Sequence, residues 1–508
     1  MGMGLLAIEK RKRPWGGTGV SARVPFPSGE RNTTRLPAQR SPLVSQIRRI
    51  ILPDFGLEQD LPRIPLPEYE ERLAATAQRM RKAGLDVLAV YADREHCANI
   101  AFLTGFEPRF EEALLLLDAA GRRVLLVGNE CMGYLPEAAL RCQIVLYQNF
   151  SLMGQPREQS RPLRSILAEF GISKGTKVGT TGWKHFDAGS PDGAETTIEI
   201  PAYIVDVLRD LAGSERVCNG NALFMGVQDG LRIINSASQI AQFEYAAIRT
   251  SSAILALLRN LGEGVREQDL ERFLLPGGLP LSCHAMISFG DKVRRGLSSP
   301  SSRAAKLGDA FTVGFGVWGA LSSRAGVIAR GAQDLEQPLR EFYEPYVRNY
   351  FDVVAAWYEA LRLGALSGEV FAAAEARRDD RLLRFAVNPG HYIHLDEWVH
   401  SPFVRDGQVE LRSGMALQMD IIPVSQGPFC YSNAEDGLVL AGEPLRKELA
   451  SRYPACWARI QKRRSFMTRE LGIALDESVL PLGNTPAWLP PYDLNLDLAL
   501  TNAKASGS

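Results

Sequence analysis

A run of 25 residues, SASQIAQFEYAAIRTSSAILALLRN from Ser236 to Asn260, constrains the fold more than any other. Ser236 with Gln239 makes a capping box. Ile240, Phe243, Ala247, Ile248, Ile254, Leu255 and Leu258 then fall on one face of a long helix. A second long helix reads through REFYEPYVRNYFDVVAAWYEALRLG, residues 340–364. Between and after the two lie CHAMISFG, AFTVGFGVWG, GMALQMDIIPV and EDGLVLAG, all strand-like. Long helices interleaved with such strands predict helices covering a largely antiparallel sheet, an α+β domain. No internal period indicates a repeat array.

The chain ahead of Ser236 follows another pattern. In PLPEYEERLAATAQRMRKAG, Tyr69, Leu73, Ala77 and Met80 recur at helical spacing, with Pro67 at the start and Gly84 at the stop. LDVLAVYAD reads as a strand, EALLLLDAAGRRVLLVGN as two strands about an Ala-Gly turn, CQIVLYQ as a strand, and SRPLRSILAEFG as a helix. The expected organisation is a basic, disordered tail over 1–50, a βα-alternating domain over 51–230, the α+β domain over 231–445, and a C-terminal extension over 446–508. The extension reads as an Arg-rich helical segment that packs through Trp457 and Phe466, then a Pro-rich coil.

Charge argues against two classes of partner. The 508 residues carry 58 Lys+Arg and 58 Asp+Glu, so no global field draws in nucleic acid or an anionic membrane. The basic run Glu9–Arg13 reads as a solvated stretch of the tail. Seven cysteines, an odd number with no CxxC, fit a reduced, cytoplasmic compartment better than a disulfide framework. No apolar run is long enough to span a bilayer, and the start lacks the apolar core of a signal peptide.

The chain has six histidines, and three stand in NPGHYIHLDEWVH, residues 388–400. His391, His394 and His400 cannot share one face of a regular element, so they converge only if the segment bends, which Pro389-Gly390 invites. The alternatives are metal ligation or histidines satisfied by Asp396 or Glu397. His284, in LSCHAMISFGD, sits in an apolar strand and is expected to be buried. Its neighbour Cys283 points to the opposite strand face, which weakens a Cys/His nucleophile. Asp420 lies among apolar neighbours, where an ionised carboxylate needs a cation or strong donors. Glu435 and Asp436 stand at the mouth of another strand. Separate segments each bringing one His or acid is how active sites are assembled in α+β enzymes.

These residues resemble the creatinase/aminopeptidase P superfamily, whose catalytic domain has the pita-bread fold. IAFLTGFEPRFEEALLLL with GRRVLLVGNE is similar to its N-terminal domain. SQIAQFEYAAIRTSSAIL, CHAMISFG, the PGH stretch, RSGMALQMDIIP and AEDGLVL follow in the family's order. The resemblance spans about 65–445 and implies a pita-bread catalytic domain behind a smaller creatinase-type α/β domain. The family's metallopeptidases hold two metals with Asp, Asp, His, Glu and Glu. The matching positions here are Gly314, Ser323, His391, Asp420 and Glu435, so two carboxylates are missing. Glycine offers no donor and a serine hydroxyl is a weak ligand for a hard dication. His391, Asp420 and Glu435 remain as a possible single site. His284 matches the family's catalytic histidine. His400 matches its second conserved histidine but follows His391 by nine residues, not the family's seven, with Glu397 and Trp398 as the extra pair. His394 replaces a family glycine.

The resemblance implies a hydrolase of C–N bonds in a small amide, guanidino or peptide substrate, lacking a complete dinuclear centre. In that reading His284 is the base or substrate-binding histidine, His391 and His400 pass protons, and Glu435 with Asp420 binds a guanidinium or ammonium. Arg109 and His394 are candidate substrate contacts. The alternatives are an Xaa-Pro aminopeptidase or dipeptidase with one metal on His391, Asp420 and Glu435, and an inactive pita-bread binding module. The expected cofactor is none, or one divalent Mn, Co, Fe or Zn. The expected partners are a small-molecule or short-peptide substrate and a second copy in a homodimer.

Overall fold

A computed structural model of the chain describes residues 45–186, 193 and 196–502. Residues 1–44, most of the expected tail, lie outside them. The tail nevertheless ends earlier than expected. Ser45–Arg49 is a strand, paired antiparallel with Leu498–Asn502 from the far end of the chain. Ser45 donates its backbone N–H to Asp352 at 3.0 Å. The first and last described strands therefore pair with each other, which no local pattern announces.

The first half carries helix α1, Leu66–Lys82, and helix α2, Ala98–Thr104. Its strands are β1 Val87–Ala92, β2 Ala113–Asp118, β3 Arg123–Val127, β4 Gln143–Leu146, β5 Val178–Thr181 and β6 Val217–Asn219. They form one mixed sheet in the order β4-β3-β2-β1-β5-β6. Successive side chains leave a strand on opposite faces. Ala89, Leu114 and Leu116 therefore face one core, while Leu88, Val90 and Leu115 face another that runs on into the second half. Burial on both faces explains why these strands read as unbroken apolar runs.

The second half holds the two long helices, α3 Ala237–Arg259 and α4 Leu339–Ala360. The Ser236 hydroxyl accepts the Gln239 N–H at 3.1 Å, which is the expected N-cap. The strands are β7 Leu281–Phe289, β8 Ala310–Val317, β9 Ala320–Val327, β10 His391–Tyr392, β11 Ala416–Asp420, β12 Asn433–Leu440 and β13 Val479–Pro481. Their order is β10-β11-β12-β9-β8-β7, with β13 also paired to β12, and every pairing is antiparallel. This is the α+β arrangement expected.

The C-terminal extension is more than helix and coil. After helix α5, Pro454–Arg469, it supplies β13 and the strand Leu498–Asn502. Phe466 is buried edge-on to Phe55, with ring centroids 5.8 Å apart, and Trp457 packs partly buried on the same core. Glu244 of α3 accepts from Arg459 at 2.7 and 2.8 Å and from Arg463 at 2.8 Å. A buried carboxylate shared by two guanidiniums fixes α5 on α3, because parting them strands charge in the core.

Candidate active site

The site follows from strand register. Met286 of β7 pairs with Gly314 of β8, Gly314 with Ser323 of β9, Ser323 with Glu435 of β12, and Glu435 with Asp420 of β11. Residues directly opposite each other share a sheet face. His391 of β10 pairs with Gln418, two residues from Asp420 and so on the same face. Glu435 and its neighbour Asp436 point opposite ways. Asp436 meets the buried Arg324 at 2.9 and 3.0 Å on the far side, a structural pair.

His391 Nε2 lies 3.4 Å from Glu397, 3.5 Å from Glu435 and 3.9 Å from Asp420. Donor atoms of His391, Asp420 and Glu435 all fall within 4.8 Å of one another, and all three residues are buried. His391 Nδ1 is 3.1 Å from the Tyr392 carbonyl, which only accepts, so Nδ1 carries a proton and Nε2 is the ring atom turned to the acids. Nε2 and Asp420 Oδ1 have no hydrogen-bond partner among the described residues. Three carboxyl groups gathered round one ring nitrogen in a buried site are unfavourable without a cation or a shared proton between them. Burial pushes Asp420 up to about 7, Glu397 to about 7 and Glu435 to about 8, and the mutual proximity of the acids adds to the rise of Asp420 and Glu397. These donors therefore fit one divalent cation.

Gly390, at φ 99°, brings the chain to His391. A side chain there would lie 2.8 Å from the Gln418 carbonyl and 2.9 Å from Trp357. Trp357 donates to the Pro389 carbonyl at 2.8 Å, and the Ser401 hydroxyl donates to the Gly390 carbonyl at 2.7 Å. The turn is thus held on both sides, which places the His391 backbone beside the sheet.

Beyond Glu435 the donors run out. The Ser323 hydroxyl donates to the Val313 carbonyl at 2.9 Å. The Met286 terminal methyl occupies the space over Gly314, 2.5 Å from where a Cβ would stand. The positions matched to the two missing aspartates do lie beside Glu435, and a methyl and a neutral hydroxyl take their place.

A cleft of about 970 Å³ opens beside the acids, with Glu397, Trp398, His284, Trp318, Trp183 and Arg109 on its walls. His284 is exposed on it, not buried as expected. Strand β7 is the sheet edge and its register shifts twice between Leu281 and Met286, so its apolar neighbours do not enclose the imidazole. His284 Nε2 stands 2.9 Å from the Leu297 carbonyl and so carries the proton, leaving the Nδ1 lone pair. Cys283 is partly buried, and burial raises its thiol to about 11, which makes it a poor nucleophile.

The other candidates part company. His394 is fully buried between Phe102 of α2 and Phe243 of α3, at 5.4 and 5.2 Å, and burial holds it well below the usual histidine range. It packs the seam between the two halves and does not line the cleft, contrary to a substrate-contact role. His400 bridges its backbone to Tyr392, and its ring centroid is 6.0 Å from that of His185. Arg109 is exposed on the cleft with φ 57° and its guanidinium 5.5 Å from the Tyr134 ring. Sequence reasoning named Glu397 only as a possible partner of the histidines and as part of the extra pair before His400, not as a site carboxylate. Its signals were its nearness to the histidines in sequence and the two-residue lengthening between His391 and His400.

No family model and no curated protein matches the sequence. Solved structures do. An Xaa-Pro dipeptidase from Bacillus anthracis superposes with TM-score 0.55 at 16% identity, covering 74% of this chain and 96% of that one. A dipeptidase from Mycobacterium ulcerans gives 0.55 at 18% identity over 75% and 95%. A prolidase from Thermococcus sibiricus gives 0.56 at 16% identity over 74% and 95%. The chain shares the fold of these peptidase structures over about three quarters of its length.

Proposed function

We propose that the protein is a hydrolase of amide C–N bonds in short peptides or similarly sized substrates, with one divalent cation held by His391, Asp420 and Glu435. The reading rests on one observation: these three donors converge within 4.8 Å, buried, and Glu397, 3.4 Å from His391 Nε2, lines a cleft of about 970 Å³ together with His284. The solved structures that share the fold are peptidases by name, which agrees with the substrate class. A cation bound there polarises a carbonyl and acidifies water. His284 Nδ1 takes a proton or holds the substrate from the opposite wall, and Arg109 and Trp398 line the space for the remainder.

A second reading is favoured by the openness of Glu397 to the cleft. A guanidinium or ammonium group could take the cation's place beside the acids, with His284 as base and no metal. One assay separates the two. The full chain, stripped of metal and then supplied with Mn, Co, Zn or Fe, is offered Xaa-Pro and other dipeptides alongside guanidino compounds. Peptide hydrolysis that needs metal, and that falls about 10²- to 10⁴-fold in His284→Ala, supports the first reading. Turnover of guanidino compounds in chelator supports the second. Failure to turn over any substrate under either condition sinks both.

A further inference from the structure

We propose that Glu397 is the fourth ligand of this single-cation centre, brought in by the Glu397–Trp398 pair to replace carboxylates that β8 and β9 do not supply. The proposal rests on the reading that the His391, Asp420 and Glu435 cluster takes a cation.

The geometry is a set of spokes from one atom. Zinc would bond nitrogen and oxygen ligands at about 2.0–2.2 Å, so two of its ligand atoms could stand no more than about 4.4 Å apart. From His391 Nε2, Glu397 lies at 3.4 Å and Glu435 at 3.5 Å, with Asp420 at 3.9 Å; Glu397 stands outside the three residues whose donors all lie within 4.8 Å of one another, so a turn of its side chain completes the set. Nε2 is fully buried and Asp420 is 4% exposed, and both Nε2 and Asp420 Oδ1 lack a hydrogen-bond partner among the described residues. Two unpartnered donors aimed into one space are the mark of a ligand site.

The segment that carries Glu397 is clamped on both sides. Asp396 pairs with the buried Arg232, which also holds Asn99 at 2.9 Å. Trp398 lies flat on the His391 ring, centroids 4.0 Å apart and planes 20° from parallel. Glu397 sits between these anchors. It is the acid of the four that lines the cleft, so it also borders the path by which an ion enters.

The opposite side of Glu435 is closed to a second ion. Ser323 spends its hydroxyl on Val313, and the Met286 methyl stands over Gly314. A second dication there would meet an apolar methyl and at most one neutral oxygen. The stoichiometry that follows is one ion per chain.

The test is metal binding, read without substrate. The chelator-stripped full chain is titrated with Mn²⁺ and with Zn²⁺ by calorimetry, and bound metal is counted by plasma mass spectrometry. Glu397→Gln keeps the shape and removes the charge, and Glu397→Asp shortens the reach should the first variant not fold. Glu107→Gln, on the same cleft, is the control. The expected result is one ion per wild-type chain, affinity about tenfold to hundredfold weaker in the Glu397 variants, and no change in the control. Unchanged affinity in the Glu397 variants, two ions per wild-type chain, or none, overturns the proposal. A wild type that binds one ion through Glu397 but hydrolyses nothing keeps the inference and sinks the proposed function. Peptide hydrolysis with unchanged affinity in Glu397→Gln does the reverse.

Discussion

Trp398 stacks on His391 with centroids 4.0 Å apart, so an indole that is 39% exposed roofs an imidazole that is wholly buried. The stack fixes the plane of the ring whose Nε2 faces the acids. Trp398→Ala should cost about 0.5–1.5 kcal/mol of stability in urea unfolding. It should also weaken metal binding, because the imidazole is free to swing. Stability and metal affinity both at wild-type values would show that the backbone turn alone orients His391.

The acid cluster should make the metal-free protein less stable as pH rises. Asp420 and Glu397 are pushed up to about 7 and Glu435 to about 8, whereas the unfolded chain releases these protons near pH 4. The folded state therefore binds more protons between those limits. This contribution is full below about pH 4 and is lost as pH climbs through 7 to 8. Urea denaturation in chelator from pH 5 to 8.5 should show the fall, and Glu435→Gln should flatten it. The groups are close enough to titrate as a set, so the slope belongs to the cluster. A steeper fall in Glu435→Gln than in wild type would contradict this account.

His394 is expected to be dispensable for turnover. Both ring nitrogens are buried without partners among the described residues, and the flanking contacts are Phe102 and Phe243. Burying an unpaired polar group is unfavourable, so His394→Leu should be neutral or stabilising within about 1 kcal/mol. Its kcat/KM should stay near wild type. A tenfold loss of kcat/KM in a stably folded His394→Leu would restore the substrate-contact role.

Glu244→Ala should be among the most damaging single changes away from the cleft. It takes from the buried Arg463 its carboxylate, bonded at 2.8 Å, and leaves Arg463 only the neutral Asn484, while Arg459 keeps Glu58 at 3.2 Å. The expected cost is about 3–5 kcal/mol. Limited proteolysis should then cut first around α5, and cutting elsewhere first would mean that other contacts hold the extension.

His284→Ala should separate chemistry from folding. The side chain is exposed and its one side-chain bond among the described residues is to the Leu297 carbonyl, so stability should shift by no more than about 0.5 kcal/mol. Activity should fall as given above. A large loss of stability would instead make His284 a clamp for the 290–297 turn.

The sequence by itself determined the periods: helical faces on α1, α3 and α4, and unbroken apolar runs where strands are covered on both sides, as in β1 and β2. Strand β9, ALSSRAGV, escaped notice because its small and polar residues carry little apolar signal. Likeness to a family placed His391, Asp420 and Glu435 together, along with the neutral residues beside them. Only the tertiary structure decided which polar side chains meet. Register pairs residues as far apart as Ser323 and Glu435, and no local period encodes that choice. An edge strand with two register shifts opened His284 to the cleft, and packing between the halves closed over His394. The two residues that lengthen the loop after His391 became a carboxylate on its Nε2 and an indole on its ring. Their identity was legible from the start, but their role required the fold that bends the chain back over the sheet.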